Sequence, residues 1–243
     1  MTTFTFRPQT LDFTIFNMVY FNNEYKLPPR FDVDDTIIDV GAHIGSFAFA
    51  SLVRGAQHVI SIESHPENHQ LAQNHLSEYI EDGRVDLHWG AVWRSDAHDD
   101  SLHYGNFSII SDNISNTGNV NVQTIDNGKS TPVIALDDLI AEHQIRLLKL
   151  DCEGAEFPIL LTSNRLRQVD EIVGEFHEFC GDFDQCQPNF QLHNNKRYTV
   201  DMLLAYLQSQ GFTTEVKRHQ QYVDGEWIPI RLGYFRAKRI DSH

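Results

Sequence analysis

The chain has 243 residues and a mass of 28.0 kDa, which suits one α/β domain and is short for two catalytic domains. The hydrophobic share of 41% and the charged share of 22% exclude the disordered, collagen-like and coiled-coil classes. With 19 basic and 34 acidic side chains, the net charge of −15 disfavours nucleic acid and anionic membranes as partners. No apolar run reaches the roughly 20 residues that cross a bilayer, and no export or transit signal is recognisable, so we expect a cytoplasmic protein.

Short apolar runs rich in β-branched residues alternate with helical patterns from residue 36 onward, as in buried parallel strands joined by helices. Gly41 ends the first run, and Pro66 opens a helix at a position where its missing N–H costs little. Strands are predicted over residues 36–40, 58–63, 84–89, 145–150 and 171–176, and helices over residues 46–53, over 66–80, and through Pro158 and Leu161.

The segments on either side of these elements carry weaker patterns. Residues 94–130 are rich in Asn, Ser, Asp and Gly, which favours an inserted region of hairpins and loops over the sheet edge. A last helix is predicted over residues 200–207, followed by a pair of closing strands over 212–216 and 231–235. Together the elements predict an α/β fold: a doubly wound, Rossmann-like, mostly parallel sheet of seven strands with an antiparallel closing strand.

A glycine-containing turn, Asp39-Val-Gly-Ala-His-Ile-Gly45, lies between the first strand and its helix. Glycine lets the backbone approach a ligand there, and the N–H groups that open the helix face the same point. A dinucleotide-binding turn would carry a second glycine where His43 stands, so a pyrophosphate site is disfavoured. Glu63 ends the second strand, where a carboxylate can accept both ribose hydroxyls. The turn and Glu63 together indicate adenosine without pyrophosphate.

A second motif, Leu148-Lys-Leu-Asp-Cys-Glu-Gly-Ala-Glu156, begins in the fourth strand and continues past its end. In combination with the glycine turn it resembles the FkbM family of S-adenosylmethionine-dependent methyltransferases. The resemblance spans residues 35–177 and differs at His43, where many members carry asparagine. The other matching features are Glu63, Asn116-Thr-Gly118 and the Glu-x-His pattern at Glu175 and His177.

This resemblance implies a class I methyltransferase fold and an S-adenosylmethionine site built on the glycine turn. Glu63 would hold the ribose hydroxyls, Ser64 would lie by the adenine, and Ala91 and Val92 would flank it. Residues 115–117 are a further candidate, equally consistent with an ordinary turn. The residues that would surround the methionine end and the ribose are Asp39, Gly41, Ala42, His43 and Gly45.

Asp151, Glu175 and His177 form the predicted catalytic group, because ligands of doubly wound sheets gather at the carboxyl ends of strands. Side chains alternate along a strand, so Glu175 and His177 share a face, and an adjacent strand brings Asp151 near. We predict His177 as the general base, with Asp151 and Glu175 orienting the substrate or holding a divalent cation such as Mg²⁺. A surface histidine paired with Glu178 is the alternative for His177.

The predicted function is O-methylation of a hydroxyl on a sugar or small metabolite. The predicted organisation is one domain: an N-terminal extension (1–34), a cofactor-binding and catalytic core (35–177), and a substrate loop with closing strands (178–243). A nicotinamide-dependent oxidoreductase and a noncatalytic adenosine-binding module are the two alternatives. A zinc site using His177, Cys180, Cys186 and His193 is disfavoured, because the spacing lacks two short ligand pairs. The acceptor and the oligomeric state are not predicted.

Overall fold

The computed structural model describes residues 3–96, 131–178, 198–223 and 226–240, with the backbone alone at 108–110 and 121–123. Its strands are β1 Thr36–Val40, β2 His58–Glu63, β3 Val85–Trp89, β4 Ala91–Trp93, β5 Ser108–Ile110, β6 Asn121–Gln123, β7 Val133–Ala135, β8 Ile145–Leu150, β9 Glu171–His177, β10 Phe212–Val223 and β11 Glu226–Arg239. Its helices are α1 Asp12–Phe16, α2 Ser46–Leu52, α3 Pro66–His75, α4 Ser77–Glu81, α5 Leu136–Ile140, α6 Glu156–Thr162 and α7 Val200–Ser209, with a π-helical turn over Asn17–Phe21 and a 3₁₀ turn over Leu166–Gln168.

Seven strands form one sheet in the order β10-β11-β9-β8-β1-β2-β3. The five strands from β9 to β3 are parallel, and β11 is antiparallel to both β9 and β10. The predicted doubly wound sheet with an antiparallel closing pair is therefore confirmed. The central strands are mostly apolar and buried because both faces of the sheet are covered.

The two faces of the sheet carry separate cores, as strand alternation requires. On one face Ile38 and Leu148 pack with α5, α6 and α7. On the other face Ile37 and Leu147 pack with α2 and with Phe31 of the N-terminal segment, residues 3–31. The N-terminal segment thus covers the sheet beside the carboxyl ends of its central strands.

Several elements differ from the prediction. The helix predicted over residues 66–80 breaks into α3 and α4 at Leu76, whose side chain lies against Gly45. β10 continues to Val223 and β11 begins at Glu226, well beyond the predicted strand ends. The outer parts of these two strands form a hairpin arm that extends past the end of β9. This arm was missed because it covers no core and so lacks an apolar alternation. Helix α1 and the π-helical turn were not predicted at all.

Two small strand pairs lie in and around the insertion. β5 pairs with β6 as an antiparallel couple inside residues 94–130, as expected for a hairpin there, whereas β4 and β7 flank this region and pair in parallel, which was not predicted. The cofactor candidates at residues 115–117 and the zinc candidates Cys180, Cys186 and His193 lie outside the described residues. None of the described helices has the length and apolar character needed to cross a bilayer.

Candidate active site

A cavity of about 310 Å³ opens at the carboxyl ends of the central strands, where open α/β sheets bind their ligands. The ends of β1, β2, β8 and β9 border it, and the N-terminal segment forms another side. Eight of the predicted site residues line it: Gly41, His43, Glu63, Ser64, Ala91, Val92, Asp151 and Glu175. The other predicted site residues, Asp39, Ala42, Gly45 and His177, are buried beside the cavity without lining it.

The turn after β1 brings two strand ends into direct contact. Gly41 has a φ of +79°, and a Cβ added there would lie 1.9 Å from the main-chain oxygen of Asp151. The N–H groups of Gly41 and Ala42 both donate to the carbonyl oxygen of Ile62 at 3.0 Å. Glycine is required at position 41 because both the conformation and the space exclude a side chain. The turn therefore ties the ends of β1, β2 and β8 together.

Glu63 presents a buried carboxylate to the cavity. Its Oε2 accepts the His43 N–H at 2.7 Å, and its Oε1 accepts the His65 N–H at 2.7 Å. Each carboxylate oxygen can accept a further hydrogen bond, which leaves capacity for two ligand hydroxyls. Burial raises the pKa of Glu63 to about 7. The carboxylate is thus fixed by backbone donors and still able to receive a ligand.

Asp39 lies beneath the turn in an ion pair. Its Oδ1 is 3.2 Å from Nζ of Lys149, which also donates to the carbonyl oxygens of Val40 and Gly41 at 3.2 and 2.7 Å. Burial raises the pKa of Asp39, although the lysine opposes this effect. The contacts favour a role for Asp39 in holding the turn, and its predicted contact with a cofactor stays a prediction.

The side of the cavity opposite Glu63 carries four carboxylates: Glu24, Asp151, Glu153 and Glu175. Burial, reinforced by the neighbouring Asp151 charge, raises the pKa of Glu175 to about 8 and that of Glu24 to about 6. Burial also raises the pKa of Glu153 to about 7. No lysine or arginine is among the described residues that line the cavity. This acidic wall suits a cationic or hydroxyl-rich ligand and repels anions.

His177 is 5% exposed and is surrounded by carboxylates. Its Nδ1 is 3.2 Å from Glu156 Oε1, and its Nε2 is 3.4 Å from Glu153 and 3.9 Å from Glu175. Burial disfavours the charged imidazole, but the carboxylates of Glu156 and Glu153 win and raise the pKa of His177 to about 10. The ring is therefore protonated at neutral pH. A protonated His177 ring suits the role of a cation that holds the surrounding carboxylates in place. Its predicted role as general base stays a prediction.

The alternative partner of His177, Glu178, is engaged elsewhere: it accepts from the Val200 N–H at 2.6 Å and pairs with Arg218 at 2.9 Å. Glu156, the last residue of the second motif, accepts the N–H groups of Cys152 and Gly154, each at 2.9 Å. Glu156 thereby fixes the loop that follows Asp151.

Within the described residues, the donor set able to hold a metal ion is Asp151, Glu153 and His177, whose ligand atoms lie within 4.8 Å of one another. The predicted pair was Asp151 and Glu175. A cation bound here would therefore use Glu153 and His177 beside Asp151, and it would displace the proton that His177 carries.

Several cavity residues had no signal in the sequence, among them four polar side chains. Glu24 and Tyr25 come from the N-terminal segment, and His219 and Tyr234 come from the closing strands β10 and β11. Tyr25 donates its hydroxyl hydrogen to Asp151 Oδ2 at 2.8 Å, and Tyr234 donates to Glu24 at 3.0 Å. Neither segment has a motif, and Tyr25 and Asp151 are 126 positions apart. Only the fold brings them together.

We expect the ligand-free protein to lose thermal stability between pH 7 and pH 9. The pKa values of Glu175, about 8, and His177, about 10, exceed those of the unfolded chain, so the folded state holds extra protons in this interval. Each extra proton lowers the free energy of unfolding by about 1.4 kcal/mol per pH unit.

The measurement is the unfolding midpoint at pH 7, 8 and 9, which should fall by several degrees, since a chain of this size shifts by roughly 2–4 °C per kcal/mol. The same series on His177→Gln should give a shallower slope, because one of the two titrating groups is gone. A midpoint that is constant or rises over this interval would contradict the described environment of His177.

Among solved structures, the chain resembles the methyltransferase FkbM from Methylobacillus flagellatus KT, with 18% identity and a TM-score of 0.50. The match covers 92% of this chain and 47% of that one, so this chain spans about half the length of that protein. A second structure, TrmK of M. capricolum in complex with S-adenosylhomocysteine, has 8% identity and a TM-score of 0.48, over 90% of this chain and 67% of that one. At these identities the likeness concerns the fold alone.

A search of curated protein sequences finds no match. The methyltransferase FkbM domain model matches residues 39–214, which is most of the chain and includes the glycine turn, Glu63 and the carboxyl ends of β8 and β9. By this match the chain belongs to the FkbM methyltransferase domain family.

Proposed function

We propose that this protein transfers the methyl group of S-adenosylmethionine to a hydroxyl oxygen of a small acceptor such as a sugar or a metabolite. The observation that carries the proposal is one cavity with Glu63 on one side and the carboxylates of Asp151 and Glu175 on the other. The first side suits an adenosine, and the second suits a hydroxyl that must lose its proton. Family membership supports methyl transfer, and we keep the predicted cytoplasmic location as part of this proposal.

The cavity fits S-adenosylmethionine better than a dinucleotide. Glu63 retains acceptor capacity for two ribose hydroxyls, and the glycine turn is closed at position 43 by a histidine instead of a second glycine. A pyrophosphate would meet an acidic wall with no lysine or arginine among the described lining residues. The sulfonium and ammonium groups of S-adenosylmethionine are cations, which the same wall attracts. These features also disfavour the nicotinamide-dependent alternative.

When bound, S-adenosylmethionine supplies an activated methyl group for in-line displacement by the acceptor oxygen. The chain must align the acceptor and remove its hydroxyl proton. We assign the base role to Asp151, which lines the cavity; its Oδ2 accepts from Tyr25, and its Oδ1 has no hydrogen bond to the part of the chain that the structure describes. Glu175, with a pKa raised to about 8 by burial and by Asp151, is protonated at pH 7 and suits orientation of the acceptor.

We further propose that the reaction needs no divalent cation. In-line methyl transfer requires alignment of the acceptor and removal of its proton, which the roles proposed for Glu175 and Asp151 already supply. Treatment with EDTA should therefore leave the rate unchanged. Loss of activity in EDTA that Mg²⁺ restores would instead support the predicted cation site.

The experiment that tests the proposed function is an acceptor screen that follows S-adenosylhomocysteine formation from S-adenosylmethionine. Hydroxylated sugars and small alcohols are compared with amines and carboxylic acids of the same size. Product formation with hydroxyl acceptors supports the proposal. Product formation with amines or carboxylates alone would overturn the assignment of a hydroxyl acceptor, but the protein would still be a methyltransferase.

Replacing Glu63 by alanine should weaken S-adenosylhomocysteine binding about ten- to a hundredfold, because it removes charge-assisted hydrogen bonds to the ribose worth roughly 1.5–3 kcal/mol. The measurement is isothermal titration of both proteins. Glu67→Ala is the matched control, since the Glu67 side chain is 76% exposed on α3 and should not affect affinity. Equal affinities of Glu63→Ala and the unmodified protein would move the ribose site elsewhere.

A further inference from the structure

The N-terminal segment reaches the acidic wall through one buried side chain. Tyr25 is 6% exposed, and its hydroxyl donates to Asp151 Oδ2 at 2.8 Å. Residue 25 precedes the region that the family model matches, residues 39–214, so family membership says nothing about it. What Tyr25 does must therefore be argued from its own contacts.

The backbone that carries Tyr25 is held from both sides. Asn23 closes the loop around it: its Oδ1 accepts the Leu27 N–H at 2.8 Å, and its Nδ2 donates to the Leu27 carbonyl oxygen at 2.9 Å. Arg236 Nη1 donates to the carbonyl oxygens of Tyr25 and Lys26, each at 3.3 Å. These hydrogen bonds hold the loop at its ends and at its middle. The Tyr25 side chain therefore has little conformational freedom.

The ring of Tyr25 is equally constrained. Phe47 and Tyr234 meet it edge to face, with ring centroids 5.5 and 6.0 Å away. The ammonium of Lys149 lies 5.6 Å from the ring centroid, and burial raises the pKa of the Tyr25 hydroxyl well above its usual value. A group that stays protonated can only donate towards a carboxylate. Tyr25 is therefore a permanent donor aimed at one oxygen of Asp151.

A hydrogen bond to Oδ2 sets the plane of the Asp151 carboxylate. It restrains rotation of the carboxylate and leaves Oδ1 as the oxygen that can receive the acceptor's proton. A misaligned base loses rate steeply, because proton transfer needs hydrogen-bond geometry. Tyr25 also lines the cavity, and its hydroxyl is hydrogen-bonded to Asp151, so we argue its role through that residue.

We infer that Tyr25 is a positioning residue for methyl transfer, which acts by fixing the orientation of the Asp151 carboxylate. This inference rests on the proposed function, in which Asp151 removes the acceptor proton. A residue that serves only the packing of the N-terminal segment would have no such link to Asp151.

A double-mutant cycle tests the inference, with the best hydroxyl acceptor of the screen as the probe. Tyr25→Phe keeps the ring and should lower kcat about ten- to a hundredfold, while KM and the S-adenosylhomocysteine affinity stay within about twofold. In the Asp151→Asn background the same replacement should change kcat less than about twofold, because the base it positions is gone. Tyr20→Phe removes a hydroxyl of the same segment that makes no bond to the cavity, and it should be fully active.

Three results would overturn the inference alone. The first is a fully active Tyr25→Phe, and the second is a loss of equal size in both backgrounds, which would indicate packing. A loss accompanied by a matching fall in cofactor affinity would also overturn it, since the segment would then be displaced as a whole. Failure of the proposed function is distinguishable, because the unmodified protein would then form no S-adenosylhomocysteine with any hydroxyl acceptor. In that case the proposed function and the inference about Tyr25 would both be wrong.

Discussion

Replacing Asp151 by asparagine should lower the rate of methyl transfer by about two to four orders of magnitude, the usual contribution of a positioned general base. Asparagine has the same shape and can still accept the Tyr25 hydroxyl, so the wall of the cavity should keep its form. What it loses is the negative charge and the ability to take the acceptor's proton. The affinity for S-adenosylhomocysteine should change little, because the ribose contact lies at Glu63 on the other side of the cavity.

The measurement is kcat with a hydroxyl acceptor, alongside cofactor affinity and the unfolding midpoint. Asp138→Asn is the matched control, since Asp138 is exposed on α5 and does not line the cavity. A rate for Asp151→Asn within a factor of about ten of the unmodified enzyme would contradict the base assignment. In that event His177→Gln would be the next variant, because His177 is the base predicted from the sequence.

Replacing Gly41 by alanine should destabilise the protein by about 2–5 kcal/mol. The left-handed backbone costs a non-glycine residue about 1–2 kcal/mol, and an added atom in a packed site costs about 1–3 kcal/mol more. The second contribution is severe here, because the new Cβ would stand 1.9 Å from the Asp151 main-chain oxygen. The strand ends must separate, so cofactor binding and catalysis should both fail.

The chain supplies a close control for this variant. Gly83 has a φ of +68° and no atom within 4 Å of an added Cβ, so Gly83→Ala should pay only the backbone cost of about 1–2 kcal/mol. Chemical denaturation of both variants gives their free energies of unfolding. The difference between the two variants is the cost of placing a Cβ at position 41 against the main chain of Asp151. Equal destabilisation of Gly41→Ala and Gly83→Ala would mean that the ends of β1 and β8 do not meet as described.

The order of strands and helices could be predicted because each central strand is buried on both faces. Such strands appear in the sequence as continuous apolar runs, and the residues that end them, such as Gly41 and Glu63, keep a fixed place relative to the cavity. The same reasoning placed Asp151 and Glu175 at adjacent strand ends, and both line the cavity. Local patterns therefore located most of the site.

What the sequence could not predict depends on contacts between distant segments. The protonated state of His177 comes from Glu156 and Glu153, which reach it across the end of β8. Tyr25 meets Asp151 only because the N-terminal segment crosses the sheet. The outer part of the hairpin arm has no core to cover, so its residues follow no apolar alternation. No local pattern encodes these features.

The most direct test of the central claim is a calorimetric titration of the purified protein with S-adenosylhomocysteine, and with NAD⁺ for comparison. The acidic cavity with Glu63 predicts that S-adenosylhomocysteine binds at one site and raises the unfolding midpoint, while NAD⁺ produces no binding heat, since its pyrophosphate meets carboxylates. Binding of NAD⁺ without binding of S-adenosylhomocysteine would contradict the account.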